Sequence, residues 1–226
     1  MMSDEKEFLW KEERRGRITS SILPDLNTKG RGGEPFGLKA LAALYAIRYE
    51  RRTGLTRESL NNKSFEWGHD MEYSAIEWIR TQLIGEVRSC SEDFDNIVFN
   101  KPFDGFGDSP DFYVYAPDGV TIEAIGEIKC PISQGKIEEL QFLNTIDNRN
   151  EYYEQFLGHF IGKPDVDTLY YVIYDGYSDT GKILEMKRSD CISDIEQMTA
   201  KIVLANDLVN RSIELNLDFK DLITIK

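Results

Sequence analysis

The sequence predicts a single α/β domain in which a central mixed β-sheet is flanked by helices. The chain has 226 residues, a length typical of one large domain. Hydrophobic residues make up 41% of it and aromatic residues 12%, which excludes the disordered, collagen-like and coiled-coil classes. Helical patterns come first along the chain, short strand-like runs occupy the middle, and helical patterns return at the end. We therefore expect residues 1–226 to form one domain.

Two helices are predicted before the sheet. Residues 28–37 (TKGRGGEPFG) are rich in Gly and Pro and indicate a loop. Residues 38–52 carry apolar side chains at helical spacing, and Gly54 follows as a stop signal. Residues 66–83 form a second amphipathic pattern, which ends at Gly85.

Short apolar runs bounded by turn residues predict the strands. These runs are residues 86–90, 97–100, 111–115, 121–130, 168–174 and 182–187. Further helices are predicted at 137–142, 151–161 and 190–215, the last of them broken once. Residues 190–226 are thus expected to form a C-terminal helical segment.

The net charge of −13 argues, taken alone, against a nucleic-acid partner. The distribution weakens that argument, because residues 1–67 are net positive and residues 68–226 carry the acidic excess. A local basic surface could bind phosphate and clustered carboxylates could bind a metal. An acidic exterior can also serve solubility alone.

The three cysteines, Cys90, Cys130 and Cys191, include no C-x-x-C pair, so neither a zinc site nor a disulfide framework is indicated. They favour a reducing compartment. The longest apolar stretch, residues 38–47, is too short to span a bilayer. We expect a cytoplasmic protein that makes no membrane contact.

The strongest chemical signal is a pair of carboxylates and a lysine. Asp111 opens one predicted strand, and Glu127 and Lys129 follow 16 and 18 residues later on the next strand of the same hairpin. Side chains two residues apart on a strand share a face, so the three groups can converge at one end of the sheet. Hard cations such as Mg²⁺ prefer oxygen ligands, which Asp111, Glu127 and the Ile128 carbonyl could supply. The set suits metal-assisted phosphodiester hydrolysis, and the alternative is an ordinary surface hairpin.

Five stretches that include these residues resemble the PD-(D/E)xK nuclease superfamily, and more narrowly the phage lambda exonuclease family (YqaJ-type viral recombinases). They are RRGRITSS at 14–21, WGHDME at 67–72, SPD at 109–111, EIKCP at 127–131 and YYEQ at 152–155. They match the family patterns R-x-G-x-I-T-x-S, W-G-x-x-x-E, S-P-D and E-x-K-C-P and the helix that bears the family's glutamine. The matches lie within residues 14–155.

The resemblance implies a restriction-endonuclease-like core and a role for each matched residue. Asp111, Glu127, the Ile128 carbonyl and Glu72 would bind Mg²⁺, with Mn²⁺ as a substitute. Lys129 would be the catalytic lysine. Gln155 would contact Lys129 or the attacking water. The alternatives are that Glu72 and Gln155 are solvated helix residues.

The resemblance also implies a pocket for a terminal 5′-phosphate, formed by Arg14, Ser21 and Ser109. Arginine suits this task because its guanidinium can donate two parallel hydrogen bonds. The neighbouring Arg15 and Arg17 leave open which arginine is used. The alternative is that residues 19–21 (TSS) cap a helix.

Residues before Trp67 match the family's strand-separating wedge, for which Phe65 would serve and Lys63 would hold a phosphate. A phenylalanine at a helix entry can equally be a core residue. Four arginines are candidate DNA-backbone contacts or solvated side chains: Arg48, Arg51, Arg52 and Arg57. The two histidines stay open as well. We expect His69 to be solvated or to flank the site, and His159, four residues after Gln155, to be an ordinary helix residue or to approach the site.

The function implied is a Mg²⁺-dependent 5′→3′ exonuclease. It would digest one strand of linear double-stranded DNA from a 5′-phosphorylated end and leave a 3′ single strand for recombination. The family implies a homotrimeric ring, a single-strand annealing protein as partner and, for a phage-encoded chain, the host cytoplasm. The alternatives are an endonuclease of restriction or repair type, and a non-catalytic relative that only binds DNA.

Overall fold

A computed structural model describes residues 4–56, 63–90 and 99–224 of the chain. Its α-helices are α1 (Asp4–Arg14), α2 (Leu23–Leu26), α3 (Leu38–Thr53), α4 (Lys63–Gln82), α5 (Gln134–Gln141), α6 (Tyr153–Gly162), α7 (Ile192–Glu214) and α8 (Phe219–Thr224). Its strands are β1 (Ile18–Thr19), β2 (Glu86–Ser89), β3 (Phe106–Gly107), β4 (Phe112–Tyr115), β5 (Ile122–Lys129), β6 (Thr168–Asp175) and β7 (Thr180–Lys187). No described helix is both long and apolar enough to cross a membrane.

A five-stranded sheet forms the centre, in the order β2-β4-β5-β6-β7. β5 and β6 run parallel, whereas the other neighbours are antiparallel. A second, small sheet pairs β1 with β3 in parallel. The predicted fold class, a mixed sheet flanked by helices, is confirmed.

Side chains of β5 alternate between two hydrophobic cores. Ala124 and Ile128 pack in a smaller core with the α4 residues Ala75, Ile76 and Ile79. Ile125, on the other face, belongs to the larger core that α3, α6 and α7 cover. This alternation places Glu127 and Lys129 on the α6 side of the sheet.

Gly126 lets β4 and β5 approach closely. A Cβ atom at this position would lie 2.0 Å from the Phe112 ring, which is fully buried. The residue opposite Phe112 in the pair is Gly126 itself. A larger residue there would push the hairpin apart just where Asp111 and Glu127 meet.

Two sequence predictions for the elements need correction. The helix predicted over residues 190–215 with one break is a single helix, Ile192–Glu214. Its buried residues recur at helical spacing without Gly or Pro, and the chain leaves the helix only at Asn216, whose φ of 53° is left-handed. In the strand predicted at 97–100, Asn100 forms only an isolated bridge with Asp108, and residues 97 and 98 lie outside the described part of the chain.

Candidate active site

The ends of β4 and β5 bring the predicted carboxylates together. Asp111 lies one residue before β4, where its backbone N donates to Gly126 O at 2.9 Å. Its side chain folds back over β5, and Asp111 Oδ2 accepts a hydrogen bond from Ile128 N at 2.7 Å. The hairpin predicted from the spacing is therefore present, with Asp111 beside residues 127–129.

Glu127 Oε1, Lys129 and Gln155 form a triangle of hydrogen bonds. Lys129 Nζ donates to Glu127 Oε1 at 2.5 Å and to Gln155 Oε1 at 3.1 Å. Gln155 Nε2 donates to Glu127 Oε1 at 2.6 Å. Lys129 Nζ also lies 4.7 Å from the centre of the Tyr152 ring. Gln155 is thus part of the cluster rather than a solvated helix residue.

The second oxygen of Glu127 contacts a buried histidine. Glu127 Oε2 lies 2.9 Å from His159 Nε2, and His159 Nδ1 lies 2.8 Å from Asp108 Oδ1. Ser20 Oγ donates to the same Asp108 oxygen. All four residues are buried. His159 therefore approaches the site from α6, and the cluster extends to the turn after β1.

These contacts shift the pKa values of the two carboxylic acids in opposite directions. Burial would raise the pKa of Glu127, but Lys129 and His159 lower it to about 2. Burial raises the pKa of Asp111 well above its ordinary value, and the charges of Glu127 and Glu72 raise it further. In the metal-free protein Glu127 is ionised, whereas Asp111 holds its proton to a higher pH.

The two bases in the cluster are held in their charged forms. Burial would lower the pKa of His159, but Asp108 and Glu127 raise it to about 10. Burial would also lower the pKa of Lys129, but the charges of Glu127 and Asp111 raise it above its ordinary value. Both cationic groups therefore lie on the Glu127 side of the site.

Glu72 approaches the site from α4. Its charge raises the pKa of Asp111 and of Cys130, and His69 Nδ1 lies 3.7 Å from Glu72 Oε2. The Glu72 side chain is 24% exposed and that of His69 is 44% exposed. Glu72 thus borders the acidic side of the site, and His69 lies beside Glu72 with its side chain partly exposed.

The donor chemistry of this acidic side fits a hard divalent cation. Asp111 and Glu72 offer carboxylate oxygens. Burial, together with the charges of Glu127 and Glu72, raises the pKa of Asp111, and a cation bound there would offset this cost of ionising it. Within the described ranges, no three His, Cys, Asp or Glu side chains are already arranged to hold a metal ion.

Arg14, Thr19 and Ser21 form a second group of polar contacts, at the turn after β1. Arg14 Nη2 lies 3.2 Å from Ser21 Oγ and 3.5 Å from Thr19 Oγ1. The Arg14 guanidinium stacks 4.2 Å from the centre of the Trp10 ring. Thr19 makes no capping hydrogen bond to the 3₁₀ turn at 20–22. The hydroxyl-rich segment therefore contacts an arginine instead of capping a helix.

The neighbouring arginines point to other partners. Arg15 pairs with Glu12 at 2.5 Å, and Arg17 Nε donates to the Glu13 carbonyl. Among the three candidates, Arg14 is the one placed beside Ser21. Ser109 is half-buried and directly follows Asp108, so the backbone carries it close to the Ser20–Ser21 turn.

The predicted DNA contacts fall into three groups. Arg48 and Arg51 hydrogen-bond to α7, through Ser212 for Arg48 and Asn206 and Asn210 for Arg51. Lys63 and Arg52 are exposed. The side chain of Phe65 and the whole of Arg57 lie outside the described part of the chain.

Comparison with solved structures gives similar folds. The alkaline exonuclease LHK-Exo from Laribacter hongkongensis, alone and in complex with dAMP, matches with a TM-score of 0.73 at 20% sequence identity, over 92% of this chain and 95% of that chain. A phage-related exonuclease from Haemophilus somnus 129PT matches with a TM-score of 0.56 at 13% identity, over 87% of this chain and 96% of that chain. No protein-family model matches the sequence, and no curated protein matches it significantly.

The chain has the fold of these exonucleases. The resemblance that the motifs predict is therefore confirmed at the level of the fold.

Sequence reasoning missed one member of the buried cluster and left another open. Asp108 was not predicted as a site residue, although it stands directly before the S-P-D match. His159 was left between two interpretations. The available signal was its spacing of four residues from Gln155, which puts both side chains on one face of α6.

Proposed function

We propose that the protein is a Mg²⁺-dependent exonuclease that digests one strand of linear double-stranded DNA in the 5′→3′ direction. The observation that carries the proposal is the cluster of Asp111, Glu127 and Lys129 at the shared end of β4 and β5. A binding scaffold has no need of a buried carboxylate next to a half-buried carboxylate and a half-buried lysine, since burying charge is costly. The exonuclease folds of LHK-Exo and of the Haemophilus protein support a nuclease.

Each residue of the cluster has a chemical task in this proposal. A bound Mg²⁺, held by Asp111, Glu72, Glu127 and the Ile128 carbonyl, would polarise the scissile phosphate and supply an activated water. Lys129 places a positive charge beside the reacting phosphate, where negative charge develops. Gln155 holds the Lys129 ammonium and Glu127 in one arrangement through its amide oxygen and nitrogen.

The 5′→3′ direction is proposed from the pocket around Arg14. The Arg14 guanidinium and the Ser21 hydroxyl are donors suited to the oxygens of a terminal phosphate, and Ser109 would add a third. A buried chain of contacts through Ser20 and Asp108 joins this pocket to Glu127. The complex of LHK-Exo with dAMP, a mononucleotide, favours an exonuclease over the endonuclease alternative.

Assembly and cell biology are further parts of the proposal. We propose a homotrimeric ring that turns the basic N-terminal segments towards DNA, because a chain with a net charge of −13 would otherwise repel a duplex. The remaining 3′ strand would pass to a single-strand annealing protein in the cytoplasm. Light scattering that finds only monomer, with and without DNA, would contradict the ring.

The direct test compares linear duplexes that differ only at the 5′ end. The proposal predicts rapid loss of the strand with a 5′-phosphate, slow loss of the strand with a 5′-hydroxyl, and no cut in a closed circle. Mn²⁺ should replace Mg²⁺, whereas EDTA should stop the reaction. Cleavage of the circle would favour an endonuclease, and binding without any cleavage would favour a non-catalytic relative.

A further inference from the structure

A continuous chain of buried hydrogen bonds lies behind Glu127. It runs from Glu127 Oε2 to His159 at 2.9 Å, from His159 to Asp108 Oδ1 at 2.8 Å, and from Asp108 to Ser20 Oγ. The relative exposures are 3% for Glu127, 1% for His159, 0% for Asp108 and 3% for Ser20. Water therefore does not reach these side chains from the surface. The position of each side chain depends on the neighbours to which it is hydrogen-bonded.

The surface of α6 is shaped to receive this chain. His159 is flanked by Gly158 and, three residues later, Gly162. A Cβ atom on Gly158 would lie 2.5 Å from Ser20 Oγ, and one on Gly162 would lie 2.4 Å from Asp108 Cβ. Both contacts are too short for any residue but glycine, so the two glycines let Ser20 and Asp108 reach the helix beside His159.

Stability alone does not account for the chain. A buried histidine between two carboxylates costs desolvation energy, and an apolar core of similar volume is often at least as stable. The second oxygen of Asp108, Oδ2, is buried and lacks a hydrogen-bond partner among the described residues, which adds to the cost. Buried polar groups retained at such a cost are typical of sites that must fix a functional group.

We propose that His159 and Asp108 are positioning residues that hold the Glu127 carboxylate in one orientation and join it to the turn of the phosphate pocket. This inference rests on the proposed function. Fixing Oε2 leaves Oε1 as the oxygen that meets Lys129 and Gln155. A carboxylate that cannot rotate presents the same oxygen in every catalytic cycle, as outer hydrogen bonds do for metal ligands in general.

The same chain of hydrogen bonds also supports the phosphate pocket around Arg14. Ser20 is bonded to Asp108, and its neighbour Ser21 contacts Arg14 at 3.2 Å. Ser21 and Glu127 are thus held by the two ends of one buried connection. A terminal phosphate bound at Arg14 would therefore be held at a fixed distance from the catalytic carboxylate.

The first test does not depend on activity. The chain has two histidines, so ¹⁵N-labelled histidine gives a spectrum that the variant His69→Gln assigns. In the metal-free wild type, we expect His159 ring N–H protons that exchange slowly and resonate downfield. Glu127→Gln should shift one ring nitrogen and Asp108→Asn the other. A His159 ring that exchanges freely with solvent, or that ignores both variants, would overturn the proposal.

The second test separates positioning from folding and from substrate binding. His159→Gln should lower kcat by about 10- to 100-fold while KM for the duplex stays within about threefold. Lys187→Gln, at an exposed lysine on β7, is the control and should keep the wild-type rate. If His159→Gln does not fold, Asp108→Asn can replace it, because asparagine has nearly the same shape as aspartate. This variant should also lower kcat while KM stays nearly unchanged.

Ser20→Ala completes the design. This variant should slow digestion of 5′-phosphorylated ends. In the double variant with Asp108→Asn, the fold-loss in rate should be smaller than the product of the two single fold-losses, because both substitutions interrupt the same chain of hydrogen bonds. A His159→Gln enzyme with the wild-type rate, or additive losses for Ser20→Ala and Asp108→Asn, would overturn the positioning role. A wild type without nuclease activity would overturn the proposed function, whereas the histidine spectrum would still decide whether the buried connection exists.

Discussion

The two carboxylates of the site lie on neighbouring strands, yet their surroundings are opposite in character. Around Glu127 both oxygens are satisfied, by Lys129 and Gln155 on one side and His159 on the other. Around Asp111 the backbone N–H of Ile128 donates one hydrogen bond, and the charged neighbours include further carboxylates. The Glu127 region is rich in cationic groups, and the Asp111 region carries excess negative charge.

This difference suggests how the work of the site is divided. In the Glu127 region, Lys129 and His159 balance the negative charge before any cation binds, and they fix the carboxylate in the ionised form. The Asp111 region, with Glu72, is left electrostatically unfavourable, as catalytic sites often are. We propose that a bound cation balances the negative charge of the Asp111 region. The Glu127 region would hold its carboxylate in a fixed position next to that cation.

The largest effect is expected at Lys129, because its charge acts on both regions. Lys129→Ala should reduce the cleavage rate by about 10²- to 10³-fold while Mg²⁺ affinity, measured by calorimetry, stays close to wild type. Lys187→Ala changes an exposed lysine and serves as the control. A collapse of Mg²⁺ affinity in Lys129→Ala would make this lysine structural. It would also contradict the proposed difference in role between the Glu127 and Asp111 regions.

The two regions should respond to the same chemical change with opposite signs. Glu127→Gln should lower the free energy of unfolding of the metal-free protein by about 3 kcal/mol, because Lys129 and His159 lose a buried partner. Asp111→Asn should raise the free energy of unfolding, because it removes a charge that burial and Glu72 disfavour. Urea denaturation measures both, and changes of the same sign would contradict the comparison.

The pH dependence of these two changes follows from the pKa shifts. The pKa of Glu127 is lowered from 4.5 to about 2, so its stabilising contribution is present above pH 4.5 and is lost as the pH falls towards 2. The pKa of Asp111 is raised above 3.8, so its destabilising contribution is absent below pH 3.8 and grows as the pH rises through the raised value. The gain in Asp111→Asn should therefore disappear in acid.

Arg14 lies outside both regions, and its loss should depend on the DNA end. Arg14→Ala should slow digestion of 5′-phosphorylated ends by about 10- to 100-fold, the effect of losing a charge-assisted contact of about 1.5–3 kcal/mol. On 5′-hydroxyl ends the variant should differ little from the wild type. Arg15→Ala, which removes a guanidinium paired with Glu12, is the control. Equal losses on both ends would make Arg14 a general backbone contact.

The smallest effect is expected from a single methyl group placed next to the Glu127 region. Gly158→Ala should destabilise the protein by about 1–3 kcal/mol, because its Cβ would clash with Ser20. Gly68→Ala on α4 meets no atom within 4 Å and should instead be neutral or stabilising by about 1 kcal/mol. Thermal unfolding of the two variants shows whether α6 needs its glycine, and similar behaviour of both would argue against a tight contact.

The parts of the fold that the sequence predicts are those with a local pattern. Asp111, Glu127 and Lys129 could be found because strand period and hairpin length place them together. Helices α3 and α4 carry clear helical spacing, and Gly54 takes the left-handed conformation (φ of 70°) that ends α3. These signals need no knowledge of the rest of the chain.

The parts that could not be predicted depend on distant contacts. Ser20 meets Asp108 across 88 positions, and Asp108 meets His159 across 51, so no local pattern joins them. β1 and β3 have two residues each, which is too short for alternation to be recognised. The break predicted in α7 was wrong because exposed polar residues interrupt its apolar pattern without interrupting the helix.

The most direct test of the central claim measures nucleotide release from a 5′-phosphorylated linear duplex by the wild type and Glu127→Ala, with and without Mg²⁺. The control is Glu123→Ala, which changes an exposed glutamate on the same strand. We predict release by the wild type and the control only with Mg²⁺, and none by Glu127→Ala, which should still bind the duplex. Release that continues in EDTA, or a Glu127→Ala enzyme that keeps more than a small fraction of the rate at saturating Mg²⁺, would contradict a metal-dependent nuclease site at Glu127.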